Sequence, residues 1–575
     1  MYKLLCLLSV TVVLVFIVAC VAPVTPEPTK APTATTVAAA PPPTTAPPAT
    51  TAPGPTVAPK PTEVPKPTET KAPPKGGTVR RYLTGNAISM NPMMTSDTTS
   101  TGLQDWIWAH LVKRDPVTLD IVGVLYEDKP TFSADGKTMT WKLRPGLKWS
   151  DGQPLTSADV EFTWKTMMDP KTKLRQRATF EGAFTDVKAL DPLTVQYTLK
   201  DVGFCPAADQ SDLIGVLPKH IYEKLDINVN PQNTKPTVVN GPWMFKSWAA
   251  DEQFTAGPPN KNYVLGEPNI ETVSYRNVKD AVVALQLFKT QEIDIVSPAA
   301  LDWEEVKKLP FASTYEYYTP GASWTYIGFN TRNPWLADKK VRQAISTAID
   351  VDGMIKNIRL GLAKRQYSLI SPTNWAYTDD VPKFPYDPTK AKQLLKDLGF
   401  TPGPDGILQK DGKPWPKMRI FYSAGTSERE KIATIAQENL KAVGIPLEVV
   451  AEESAAYSER RGVTRDMELF IHGWSPGVEP YGTGEVFQSF STRNHSGIKN
   501  LEFDKLWDQA SYTPGCKQAD RKVFYVKAAQ ILADEQPYIW IFATPELVAV
   551  NKRLTVNPMT PLGVLYDPSK WYINP

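Results

Sequence analysis

The sequence predicts an α/β protein in which a strand-rich stretch precedes a series of strand, helix, strand units. Between residues 135 and 200 apolar and polar side chains alternate between turn residues, the period of half-buried strands. After about residue 273 the apolar period lengthens to that of amphipathic helices separated by short strands, which argues for helix-covered parallel sheets. Of 575 residues 42% are hydrophobic and 16 are Trp, enough to fill the interiors of several domains.

The chain begins with Lys3 and an apolar run over residues 4–18, too short to span a bilayer and suited to a signal-peptide core. The run ends in Ile17-Val18-Ala19-Cys20, which resembles a bacterial lipobox. That resemblance implies that residues 1–20 are a lipoprotein signal peptide and that Cys20 is lipidated. Residues 21–75 hold seventeen Pro and no Leu, Ile, Met, Phe, Tyr or Trp, so they lack the apolar area that would offset ordering. They are expected to form a disordered stalk, able to reach on the order of 170 Å if fully extended.

Residues 76–575 contain every Trp. Residues 138–143 and 193–199 alternate as strands, and Pro145-Gly146 and Asp151-Gly152 read as turns. Thr156 with Asp159 forms a capping-box start for a helix carrying Val160 and Trp164. Ala281, Ala284, Leu285 and Phe288 share a helical face ahead of a strand at 293–296. Val341, Ile345, Ala348 and Ile349 mark a helix behind Asp338. A strand at 418–422, a helix at 432–443 stopped by Gly444, and a strand at 447–450 follow.

Whole phrases then become recognisable. Leu143-Arg144-Pro145-Gly146-Leu147-Lys148-Trp149-Ser150-Asp151-Gly152 with Leu155-Thr156-Ser157-Ala158-Asp159-Val160, then Asn240-Gly241-Pro242-Trp243, Tyr326-Ile327-Gly328-Phe329-Asn330 and Val341-Arg342-Gln343-Ala344-Ile345 resemble the family 5 extracellular solute-binding proteins. These are the receptors of peptide, nickel and oligosaccharide ABC importers. The resemblance implies a two-lobed periplasmic-binding-protein fold (type II, cluster C) with an extra β-rich subdomain inserted in lobe I. Lobe I is expected at about 76–118, 215–328 and 533–575, the insertion at about 119–214, and lobe II at about 329–532. It also implies a monomeric, non-enzymatic receptor, anchored to the extracytoplasmic side of the membrane through Cys20. Such a receptor closes about a solute, peptide first and oligosaccharide as the alternative, and delivers it to an ABC permease.

Other chemistries are poorly served. A net charge of +3 without any Lys/Arg-rich block argues against nucleic acid. Gly473-Trp474-Ser475-Pro476-Gly477 matches a hydrolase nucleophile elbow, but Pro476 stands where the oxyanion-holding N–H is needed and has none. A cell-surface Ser hydrolase using Ser475, with His495 and Glu479 or Glu485, is the remote alternative. His110, His220, His472 and His495 lack metal-site spacing, so no metal or cofactor is expected; a metal chelate at His472 or His495 stays open because some relatives take up nickel complexes. Gly482-Thr483-Gly484 reads as a turn. Cys205 and Cys516 could pair in an oxidising compartment, but the family layout implies that they fall in different lobes or on the far sides of the hinge, and free, buried thiols are the favoured expectation.

Residues 471–481 bear most on the ligand. Peptide-binding relatives carry here an Asp that pairs with the peptide ammonium; this chain has Gly477 instead, in a phrase one residue shorter, and Glu479 is the candidate substitute. Trp474, Tyr481, Trp324 and Tyr326 offer stacking faces, with a core role equally open for each. Ser475 and, from the first lobe, Asn91 complete the candidate ligand-binding set. Arg276 and Arg332 could meet a ligand carboxylate, a surface ion pair being the plainer reading.

Overall fold

The computed structural model describes residues 72–575 except 96, 173, 175–176, 213–214 and 250–252. The expected signal peptide, Cys20 and all but the end of the stalk therefore lie outside the described residues. No helix among the described residues is long and apolar enough to cross a membrane.

In lobe I, strand Thr78–Leu83 runs parallel to Thr272–Asn277, and Gln253–Pro259 and Trp243–Ala249 extend the sheet antiparallel. The inserted sheet has the order Thr131–Phe132, Thr138–Lys142, Thr194–Leu199, Phe184–Asp191, all antiparallel. Its inward residues, among them Met139, Trp141, Val195 and Tyr197, join Val79, Trp243, Phe254 and Val273 in one continuous core. The Thr156 capping box forms as expected: Asp159 Oδ2 accepts from the Thr156 N–H at 2.9 Å, opening helix Ser157–Met168. Asp159 Oδ1 also accepts from Lys219 N, so the cap fastens the following segment too.

A small sheet of Ile295–Val296, Glu546–Asn551 and Ala312–Tyr317 borders lobe I. Asp294, fully buried, fixes it to the first strand through bonds from Arg80 N, the Arg80 guanidinium and Arg553. Burial pushes the Asp294 pKa up, and the bonds from Arg553 and Arg80 outweigh that and hold it below the ordinary value.

Lobe II is built on a six-stranded sheet in the order 364–365, 538–543, 324–329, 469–474, 418–423, 447–452. Strands Met418–Ser423 and Leu447–Glu452 are parallel and joined by helix Ser427–Ala442, which buries Ile432, Ala433, Ala436 and Leu440 on the sheet. Gly444, at φ +84°, ends it in the conformation that glycine adopts without penalty. The sheet is mixed rather than all-parallel. The two strands that connect to lobe I, Trp324–Phe329 entering from it and Tyr538–Ala543 returning to it, run in opposite directions and pair antiparallel.

These two strands continue the crossings between lobes. The sheets change over between Tyr317 and Trp324 and between Ala543 and Glu546, so 324–328 and 538–543, expected in lobe I, belong to the second sheet. The crossings bond to each other, Thr544 N to Ser323 O at 2.9 Å.

Candidate functional site

Strand Leu469–Trp474 ends beside the hinge: Trp474 lies opposite Trp324 in register, and Ser475 Oγ is 2.7 Å from Ser323 Oγ on the first crossing. The next residues are pinned one after another. Val478 O accepts from Asn374 Nδ2 at 3.0 Å and Trp375 Nε1 at 3.1 Å. Tyr481 O accepts from Trp507 Nε1 at 3.0 Å. The half-buried Trp474 indole carries the Arg493 guanidinium 4.7 Å from its ring centre, and Arg493 is itself paired to Glu485. Ser475 and Gly477 are exposed.

Glu479 departs from its expected role. Both of its oxygens are taken by Arg521, and Tyr525 Oη adds a third donor at 3.2 Å. Its side chain is 11% exposed and that of Arg521 5%, so no carboxylate is left there for a ligand ammonium. Arg521 and Tyr525 were invisible to sequence reasoning, since nothing local ties 479 to a helix that starts at 518.

Three further candidates move from ligand to core. Trp324 is 1% exposed and Tyr326 fully buried, because their face of the strand is covered by the helices of residues 501–535. Asn91 is fully buried too; its Nδ2 donates to Asn233 Oδ1 at 2.8 Å and its Oδ1 accepts from Met93 N at 3.0 Å. Tyr481 is half-buried and packs edge-on against Phe204 of the inserted subdomain, ring centres 5.0 Å apart.

Phe204 leads to the largest correction. Cys205 and Cys516, expected as free thiols, form a disulfide with Cα atoms 5.3 Å apart. Cys205 follows the inserted sheet, and Cys516 lies between helices Leu501–Ser511 and Gln518–Glu535 of lobe II. Cys205 N donates to Ser511 O at 2.8 Å, and Phe204 also meets Tyr512 at 5.5 Å. The lobes thus touch at a second place besides the hinge.

No histidine among the described residues hydrogen-bonds Ser475, whose hydroxyl meets Ser323 instead; His495 Nδ1 accepts from Arg461. Arg276 pairs with Glu292, and Arg332 donates to main-chain carbonyls of Asn494 and His495. A cavity of about 410 Å³ opens in lobe I beside Arg81, Asp105, Trp106, Tyr263, Tyr275 and Trp571, and none of the sequence-expected site residues lines it.

Comparison with known proteins agrees with this architecture. The family model described as bacterial extracellular solute-binding proteins, family 5 Middle, matches residues 120–495. The oligopeptide-binding protein AppA of Bacillus subtilis is 30% identical over 513 residues, 87% of this chain and 92% of that protein. Its structure in complex with a nonapeptide superposes with a TM-score of 0.69 at 28% identity, over 88% of this chain and all of that one. The ABC transporter substrate-binding protein CtaP of Listeria monocytogenes gives a TM-score of 0.75 at 26% identity, over 87% of this chain and 99% of that one.

Proposed function

Because the chain belongs to family 5 of the bacterial extracellular solute-binding proteins, we propose that it is the receptor of an ABC importer that captures a peptide between its lobes and passes it on unaltered. The observation that carries this reading is likeness along nearly the whole length to a relative whose structure holds a nonapeptide, combined with two crossing strands that can serve as a hinge. Trp474, Ser475 and Gly477, at the hinge-side end of the second sheet, are the proposed ligand contacts. With Glu479 sealed against Arg521, the peptide is held by its main chain and by stacking on Trp474 rather than by its ammonium group.

Titration calorimetry with a free pentapeptide, its N-acetylated form and oligosaccharides tests this. Equal affinity for both peptides supports it, and a strict need for the free amine overturns the recognition mode. Binding of sugars alone makes the Trp474 face a carbohydrate platform. Recovery of the bound peptide intact separates a receptor from a hydrolase. The same reading has the chain acting as a monomer, held to the extracytoplasmic face of the membrane by lipid on Cys20; Cys20→Ser then releases it into the medium.

A further inference from the structure

Tyr538, Tyr326 and His472 lie on one face of three adjacent strands of the six-stranded sheet: His472 stands directly opposite Tyr326, while Tyr538 stands opposite Gly328 and reaches Tyr326 diagonally. The tyrosine rings stack, centroids 4.0 Å apart and planes 13° from parallel, and His472 meets Tyr326 edge-on at 6.3 Å. Both tyrosines are fully buried and their hydroxyls face one another, without a well-formed hydrogen bond to each other or to any other described residue. His472 Nδ1 and Arg461 Nε are likewise buried and unpartnered. Tyr457 links them: its ring lies 6.0 Å from His472, and the Arg461 guanidinium lies 5.9 Å from that ring.

Buried polar atoms are nearly always paired, and each orphan costs about 1–3 kcal/mol, so four in one neighbourhood point to an occupant. Charge says which kind. Arg461 donates to His495 Nδ1, and Arg332 and Arg465 donate to main-chain carbonyls of residues 492–495. None of these three arginines pairs with a carboxylate among the described residues. Burial first, and then the charges of Arg461 and Arg429, push His472 down to about 2; burial, and then Arg461, Arg465, Arg493 and Arg332, push His495 down to about 3, so both imidazoles are neutral. Two hydroxyls, a guanidinium N–H and an imidazole that can carry its proton on Nδ1 are all able to donate to one acceptor.

We propose that this row is a binding site for a small inorganic anion of halide size, held by Tyr326 Oη, Tyr538 Oη, Arg461 Nε and His472 Nδ1 inside lobe II. It rests on the interior of that lobe alone and stands whether or not the ligand between the lobes is a peptide. Water could satisfy the same donors but would leave the arginine charge uncompensated.

The test is thermal unfolding of the full chain in sodium bromide against sodium gluconate at one ionic strength, with bromide anomalous diffraction from its crystals. The expected result is a Tm that rises with bromide and saturates, a rise of several degrees that Tyr326→Phe/Tyr538→Phe abolishes, and an anomalous peak between the two Oη atoms. Equal Tm in both salts, or water without anomalous signal at that position, overturns the site. The diffraction arm decides the matter even where the double variant fails to fold.

Discussion

Arg521 grips Glu479 with two parallel bonds, Nη1 to Oε2 at 3.0 Å and Nη2 to Oε1 at 2.6 Å, across 42 positions of sequence. Burial alone would lower the Arg521 pKa, and the facing carboxylate reverses that. The pair fixes the segment after Trp474 to the long helix Gln518–Glu535.

Glu479→Gln leaves a buried guanidinium without its counter-charge. The expected loss is about 3–5 kcal/mol of folding stability, read from urea unfolding. The ratio of affinities for free and N-acetylated peptide should stay at its parent value. A selective loss of the free peptide would restore Glu479 as an amine anchor.

Cys205→Ser removes a cross-link that closes a loop of 311 positions. A decrease of about 2–4 kcal/mol is expected, together with faster proteolysis near residues 201–206. Alkylation of the unreduced parent under denaturing conditions should modify neither cysteine.

Asp294→Asn should destabilise at neutral pH and flatten the acid limb of the stability curve. The sign follows from the depressed folded pKa: the contribution is present above the ordinary Asp value of 3.8 and is lost as pH falls through the folded pKa. Parent and variant should therefore still differ at about pH 4 and converge only as pH falls further, through the depressed folded pKa, in circular-dichroism melts.

Gly321 lies on the first crossing, where a Cβ would come within 2.4 Å of Pro476 O. Gly321→Ala must displace the crossing or the segment that follows Trp474, at a cost of about 1–3 kcal/mol. It should weaken solute binding at least tenfold by calorimetry while leaving the far-ultraviolet spectrum unchanged.

Local signals were legible in the sequence because local chemistry decides them. Thr156 and Asp159 cap a helix as read, Asp338 accepts from Lys340 N at the start of another, and Gly444 stops a third. The phrases shared with the family carried the two-lobed fold. The site was less legible, because its residues are defined by partners distant in sequence. Aromatic residues on alternate positions of 324–326 look alike whether the face above them is open or roofed by helices. Glu479 reads as a free carboxylate until Arg521 arrives from another helix. Cys205 and Cys516 look unrelated until the inserted subdomain folds back onto lobe II.

A rigid body pinned at two points keeps a single rotation, about the line that joins the pins. The crossings at Ser323 and Thr544 are one pin, and the Cys205–Cys516 bridge is the other. Twisting and sliding of one lobe against the other are thereby suppressed, so the mouth can only swing like a door on two hinges.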